Sequence, residues 1–150
     1  MEGDSVSVAE LIALLSSLAK APLDQSSAIT GSVNHFGDFQ AIGGVNQKIE
    51  GLFDVCAGRG LTGRQGVLIP AATQRHLNLR QRLVNAVAAG RFHICTMASD
   101  SDGIAVLTGL EAGVRGTSGV YPEGSLNRPV EDRLLGFAEI RRSYANEGGG

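Results

Sequence analysis

The chain has too few cysteines for a disulfide scaffold: Cys56 and Cys95 are the two in 150 residues, with no short spacing between them. That pattern fits a reducing compartment and a fold held by its core. There is no apolar run of the roughly 18–20 residues that a membrane span needs. The longest, Val8 to Ala19, is interrupted by Glu10, Ser16 and Ser17. No basic leader precedes it, since Glu2 and Asp4 stand where a signal peptide carries lysine or arginine. Nor is there an excess of one charge. A net charge of -2, with 19% charged residues, gives no sign of a nucleic-acid surface. Internal repeats are absent. So is the spacing G-x-x-x-x-G-K-S/T, which excludes a phosphate-cradling loop at Gly43–Lys48.

What is present is a globular composition, 43% hydrophobic, long enough for one domain with a real core. Twenty-one glycines predict many turns and tight approaches. The run from Ser5 to Lys20 is apolar on nearly every side and reads as a buried helix, with Ser7 and Glu10 at capping-box spacing. Ala21-Pro22 ends it. Two extended runs flank Asn34 to Asp38 and predict a hairpin. A helix follows from about Val45 to Ala57, stopped by Gly58 and Gly60. "GVLIP" and "RFHICTMAS" read as strands, with a helix in the second half of the segment between them. A short helix capped by Ser101 or Asp102 comes next. Residues 1–112 then form the main domain. Residues 113–128, rich in Gly, Ser and Pro, read as a linker or surface arm. Residues 129–146 read as a last helix, with Pro129 in its first turn, and 147–150 as a frayed tail. This order predicts an α/β (α+β) fold, a mixed sheet with flanking helices.

One lysine stands out. On the helix from Val45, the residues Val45, Ile49, Leu52, Phe53 and Cys56 make an apolar stripe. Lys48 falls on its shoulder beside Leu52 and Val55, away from Glu50 and Asp54. One reading has its stem lying along the core while the ammonium reaches water. The other has a semi-buried amine whose charged form is disfavoured, usable as a general base. A base needs a nucleophile, and Ser5, at the mouth of the first helix, is the candidate. Its alternative role is a helix cap, although Ser7 has the capping-box partner. Backbone N–H groups at a helix start also suit an oxyanion. His93 and Cys95 share a face of one strand, while Cys56 and His76 are scattered, so no spacing calls for a metal. Asp24, Asp38 and Glu50 read as solvated charges.

These residues carry a resemblance. "EGDSVS" at Glu2–Ser7, "AITGSV" at Ala28–Val33 and "AIGGVNQKIEG" at Ala41–Gly51 resemble, in order, three signature blocks of the Lon family of ATP-dependent proteases. Lys48 follows Ser5 at a separation like that of the family's Ser-Lys dyad. "GVLIPAATQRHL" looks like the strand and turn that follow. The Glu-Gly-Asp-Ser form is similar to the B-type branch and to bacterial Lon-related proteases.

The resemblance implies a serine-type endopeptidase in which Ser5 attacks and Lys48 takes its proton, with no histidine required. It implies that Thr30 orients the lysine, that Gly43 and Gly44 permit close approach at the helix start, and that the N–H groups of Asp4 and Ser5 form the oxyanion hole. It implies ATP in an upstream module rather than a cofactor here, unfolded or damaged proteins as substrates, a homo-hexamer, and a cytoplasmic location. The family's proteolytic domain also has strands before the serine motif. Their lack here is expected to uncover sheet edges and to leave this chain weak or inactive alone. The alternative is a non-catalytic fragment or fold relative serving as an assembly or interaction module.

Overall fold

A computed structural model of the chain describes residues 7–34, 39–40 and 43–147. Helix α1 spans Ser7–Ala19 and buries Val8 and Ile12. Its end follows a Schellman pattern, with Ala21 N–H donating to Ser16 O at 3.0 Å and Lys20 N–H to Ser17 O at 3.4 Å. Lys20 takes the left-handed conformation, φ 54°, that glycine usually fills there. Ser7 opens the helix, and its Oγ accepts the N–H of Val33 at 3.0 Å.

The first extended run divides between two sheets. Strand β1 (Ser27–Ile29) joins a parallel sheet, whereas β2 (Ser32–Val33) pairs antiparallel with β3 (Phe39–Gln40) as the hairpin. The break falls at Thr30-Gly31. The hairpin loop, including Asp38, lies outside the described residues. Helix α2 (Val45–Arg59) runs through Gly58 and stops at Gly60.

Strand β4 (Gly66–Pro70) is buried along its whole length and forms the centre of a parallel sheet, with β1 on one side and β5 (His93–Met97) on the other. Strands covered on both faces read as unbroken apolar runs, which explains "GVLIP". Alternation along β4 then divides the core. Leu68 points toward α1 and α4 (Asp100–Thr108), packing in one cluster with Ile12, Met97, Ile104 and Leu126. Val67 and Ile69 join Ile49, Phe53, Leu83 and Phe92, beneath α2 and α3 (Gln81–Ala88). Phe53 and Phe92 meet edge to face, centroids 5.4 Å apart. The parallel sheet and separate antiparallel hairpin, with their flanking helices, make up the α/β architecture read from the sequence.

Two further differences have local causes. Between β4 and α3 lies a 3-10 helix, Ala71–His76, too short for periodicity to reveal. The cap of α4 is Ser99, not Ser101 or Asp102; Asp102 is the third helical residue, and its carboxylate completes the capping box. In the Gly- and Pro-rich segment that follows, Leu126 is fully buried and its N–H donates to Glu111 O at 2.9 Å. The last helix, α5, spans Asn127–Glu147. It packs on α1 and buries Val130, while Leu134, Leu135, Phe137, Ile140 and Tyr144 are exposed.

Candidate functional site

The described parts of the motif segments lie at the carboxyl end of the parallel sheet, where open α/β sheets bind their ligands. Strand β1 leads into Thr30, which is buried and donates its N–H to Leu68 O at 3.0 Å. Gly31 follows in a confined place. A Cβ there would lie 3.0 Å from Pro70 Cγ and 3.4 Å from Val8 Cγ2. The first turn of α1 therefore closes on the end of β1, and the Ser7 hydroxyl ties it to the hairpin. Ser5 and Asp4 lie outside the described residues, as do Ala41 and Ile42.

On the other side of the hairpin, Gly44 begins α2 with φ 68° and no side-chain cap. Here glycine is needed for its left-handed backbone. Among the described residues, a close approach is found at Gly31. Among the described residues, nothing lies within 4 Å of a Cβ placed on Gly43, and Gln47 Oε1 is 3.8 Å from one on Gly44. The "TG" of the second block was the signal for this, since glycine after the last residue of a buried strand marks close packing.

Lys48 does not occupy the semi-buried position expected of it. Val45, Ile49 and Phe53 are buried and Leu52 and Cys56 partly so, as the stripe predicted. Lys48 lies beyond the edge of that stripe and is exposed, as is Val55. A shoulder residue is covered only if something packs beside the helix there, and no described segment does. The two nearby acids do not neutralise it. Glu50 and Asp54 pair with Arg80, at 3.1 and 2.7 Å. Glu50 is thus not a solvated charge but a partner of the α3 connection. Asp24 likewise makes a turn before β1, accepting Ser26 N–H at 2.9 Å and Ser26 Oγ–H at 2.7 Å, and these bonds lower its pKa.

Sequence reading missed Asn46. Its Nδ2 donates to His76 O at 3.3 Å and its Oδ1 accepts Asn78 N–H at 3.0 Å, joining the first turn of α2 to the segment leaving β4. The recurrence of Asn46, Glu50 and Asp54 at four-residue spacing was the signal available. Thr73, in the 3-10 helix beyond Pro70, buries its Oγ1 without a hydrogen-bond partner among the described residues. The metal candidates stay apart. His93 Nε2 lies 2.8 Å from Gly63 O, Cys95 is exposed, Cys56 is half-buried, and no group of three possible ligands forms among the described residues.

A three-strand parallel sheet with flanking helices, a Thr-Gly strand end and an α1 turn closing on it define the class: an α/β domain whose architecture is consistent with a Lon proteolytic domain. Residues 1–89 match the family described as Lon protease (S16) C-terminal proteolytic domain. The chain belongs to that family. It is 52% identical over 110 residues to the putative Lon protease homolog of Escherichia coli, covering 73% of this chain and 19% of that protein. With the putative Lon protease homolog of Haemophilus influenzae it shares 39% over 142 residues, 95% of this chain and 24% of the relative. The archaeal Lon protease of Methanothermobacter thermautotrophicus is 37% identical over 87 residues, 58% of this chain and 12% of the relative. The chain thus spans no more than about a quarter of the length of these relatives. Among the described residues no helix is long and apolar enough to cross a membrane.

Proposed function

We propose that the chain is the proteolytic part of an ATP-dependent Lon-type serine endopeptidase, with Ser5 as nucleophile and Lys48 as general base. The observation that carries this reading is the convergence of the second and third motif blocks with the first turn of α1. Gly31 takes up Val8, and Ser7 Oγ accepts Val33 N–H, at the strand end that leads through the hairpin into the lysine helix. In the sequence, Ser5 lies two residues before Ser7 and Lys48 four after Gly44.

In the proposed reaction, Lys48 Nζ takes the Ser5 hydroxyl proton as Oγ adds to a peptide carbonyl. The N–H groups of Asp4 and Ser5 receive the oxyanion. The proton passes to the leaving amine, and water, activated by the same lysine, releases the acyl group from Oγ. Thr30 orients the lysine. Lys48 is exposed here, so in the reaction α2 is covered beside it by substrate or a neighbouring segment.

ATP is assigned to another module, since this chain has no phosphate-loop spacing. Its substrates are unfolded or damaged proteins, its assembly a homo-hexamer and its location the cytoplasm. The second reading, a non-catalytic assembly module, is favoured by the exposure of Lys48. Hydrolysis of fluorogenic casein separates the two. The chain joined to the upstream part of its Lon relatives should cleave, the chain alone weakly or not at all, and Ser5→Ala and Lys48→Ala should each abolish cleavage. Cleavage that survives either substitution assigns the chemistry elsewhere, and no cleavage by the joined protein supports the second reading.

A further inference from the structure

One side of α2 carries a polar residue at each turn, Asn46, Glu50 and Asp54, and all three grip the connection between the 3-10 helix and α3. Asn46 holds His76 O and Asn78 N–H. Glu50 accepts the backbone N–H of Arg80 at 2.9 Å and lies 3.1 Å from its Nε. Asp54 Oδ2 is 2.7 Å from Nη2 of the same guanidinium. Partly exposed ion pairs of this kind add little to stability, so their value lies elsewhere.

Helix α2 lacks a side-chain N-cap and carries Gly51 and Gly58, which weaken a helix interior. Its buried stripe of Val45, Ile49 and Phe53 holds it to the sheet, but apolar contact is non-directional and leaves small rotations cheap. Lys48, in solvent and in no ion pair among the described residues, is carried by the α2 backbone. The backbone bonds of Asn46 and Glu50 are directional. They define both the rotation of α2 and its height along the segment leaving β4.

We infer that Asn46, Glu50, Asp54 and Arg80 form a positioning device that fixes α2 in rotation and register and so sets where the Lys48 amine meets the nucleophile. The inference rests on Lys48 being the base, as proposed above. None of the four touches the reacting atoms in this account; they act through the helix.

Lys20 and Lys48 are the two lysines of the sequence, so protein labelled with carbon-13 lysine gives two ε-methylene NMR signals, with Lys20 as internal control. In Asn46→Ala and Arg80→Ala of the full chain, the Lys48 signal should shift while that of Lys20 stays. Exchange of the Lys48 amide, bonded to Gly44 O at 3.1 Å, should accelerate about tenfold relative to that of Phe53. Asn46→Asp, which keeps the acceptor for Asn78 N–H, should recover most of the wild-type Lys48 signal. Should Arg80→Ala fail to fold, Arg80→Lys, which keeps the charge but loses the fork, is read in the same way.

A merely structural role predicts that Lys48 and Phe53 amides accelerate together, and that outcome overturns the inference. So does a Lys48 signal that stays in place in the folded variants. None of these readouts uses cleavage. Cleavage that persists in Lys48→Ala, where the Lys48 signal of the Lys48-containing protein shifts in Asn46→Ala, refutes the base and leaves the positioning intact.

Discussion

The hydroxyl of Ser7 accepts the backbone N–H of Val33 at 3.0 Å, across 26 residues of chain. This bond ties the first turn of α1 to the hairpin, two residues from the proposed nucleophile. Ser7→Ala removes it and leaves the Val33 N–H short of an acceptor. The expected loss of stability is about 1 kcal/mol, read by urea unfolding. Peptide cleavage by the joined protein should fall by more than that loss explains, because misplacing a nucleophile by about 1 Å is costly. A variant of full activity would separate the Ser7 bond from the site.

Gly31 and Gly44 are glycines for different reasons, and substitution tests each. Gly31→Ala pushes a methyl group against Pro70 and Val8, at 3.0 and 3.4 Å, and should cost about 1–3 kcal/mol as overpacking. Gly44→Ala makes only an ordinary contact with Gln47 Oε1 at 3.8 Å among the described residues but must adopt φ 68°, costing about 1–2 kcal/mol. Gly43→Ala, with nothing described within 4 Å, should change unfolding by less than about 0.5 kcal/mol. Equal effects at all three would contradict the distinction.

The parts of this fold governed by pattern were legible in the sequence. The unbroken apolar run of β4, the stripe of α2 and the hairpin all appear as read. What was not legible depends on partners distant in the chain. Lys48 on a shoulder looked half-covered, yet coverage depends on a neighbouring segment that periodicity cannot see. Glu50 looked solvated because its partner, Arg80, is thirty residues away. The first extended run looked like one strand, but the crowding at Gly31 splits it between two sheets. At the site, the motifs located the strand end and the lysine helix, and the "TG" of the second block marked the close approach at Gly31 without showing which segments, Val8 of α1 and Pro70 of β4, make it.

Asp102 supplies a pH signature. Its carboxylate accepts the N–H of Ala98 at 2.8 Å and of Ser99 at 3.0 Å, and these bonds, Ala98 first, lower its pKa. A group whose folded pKa is lowered adds stability that is complete above its unfolded value, about 3.9. That stability is lost as pH falls through the lower folded value. Asp102→Asn should therefore be less stable than wild type at pH 7, by about 1 kcal/mol, with the gap narrowing below about pH 4. Thermal unfolding across pH 2–7 reads it, and a pH-independent gap contradicts it.

Thr73 Oγ1 is buried without a hydrogen-bond partner among the described residues. Thr73→Val removes a desolvated hydroxyl at nearly constant shape and should be neutral or stabilising, by up to about 1 kcal/mol. A clear loss of stability in a thermal melt would mean that the hydroxyl is bonded in solution.

The central claim is that Ser5 and Lys48 act as a pair, and their separation tests it most directly. A crystal structure of the chain joined to its upstream segment should place Lys48 Nζ within about 2.6–3.2 Å of Ser5 Oγ, or one bridging water away. Side chains directed to opposite faces of the fold, with no water path between them, would contradict the account.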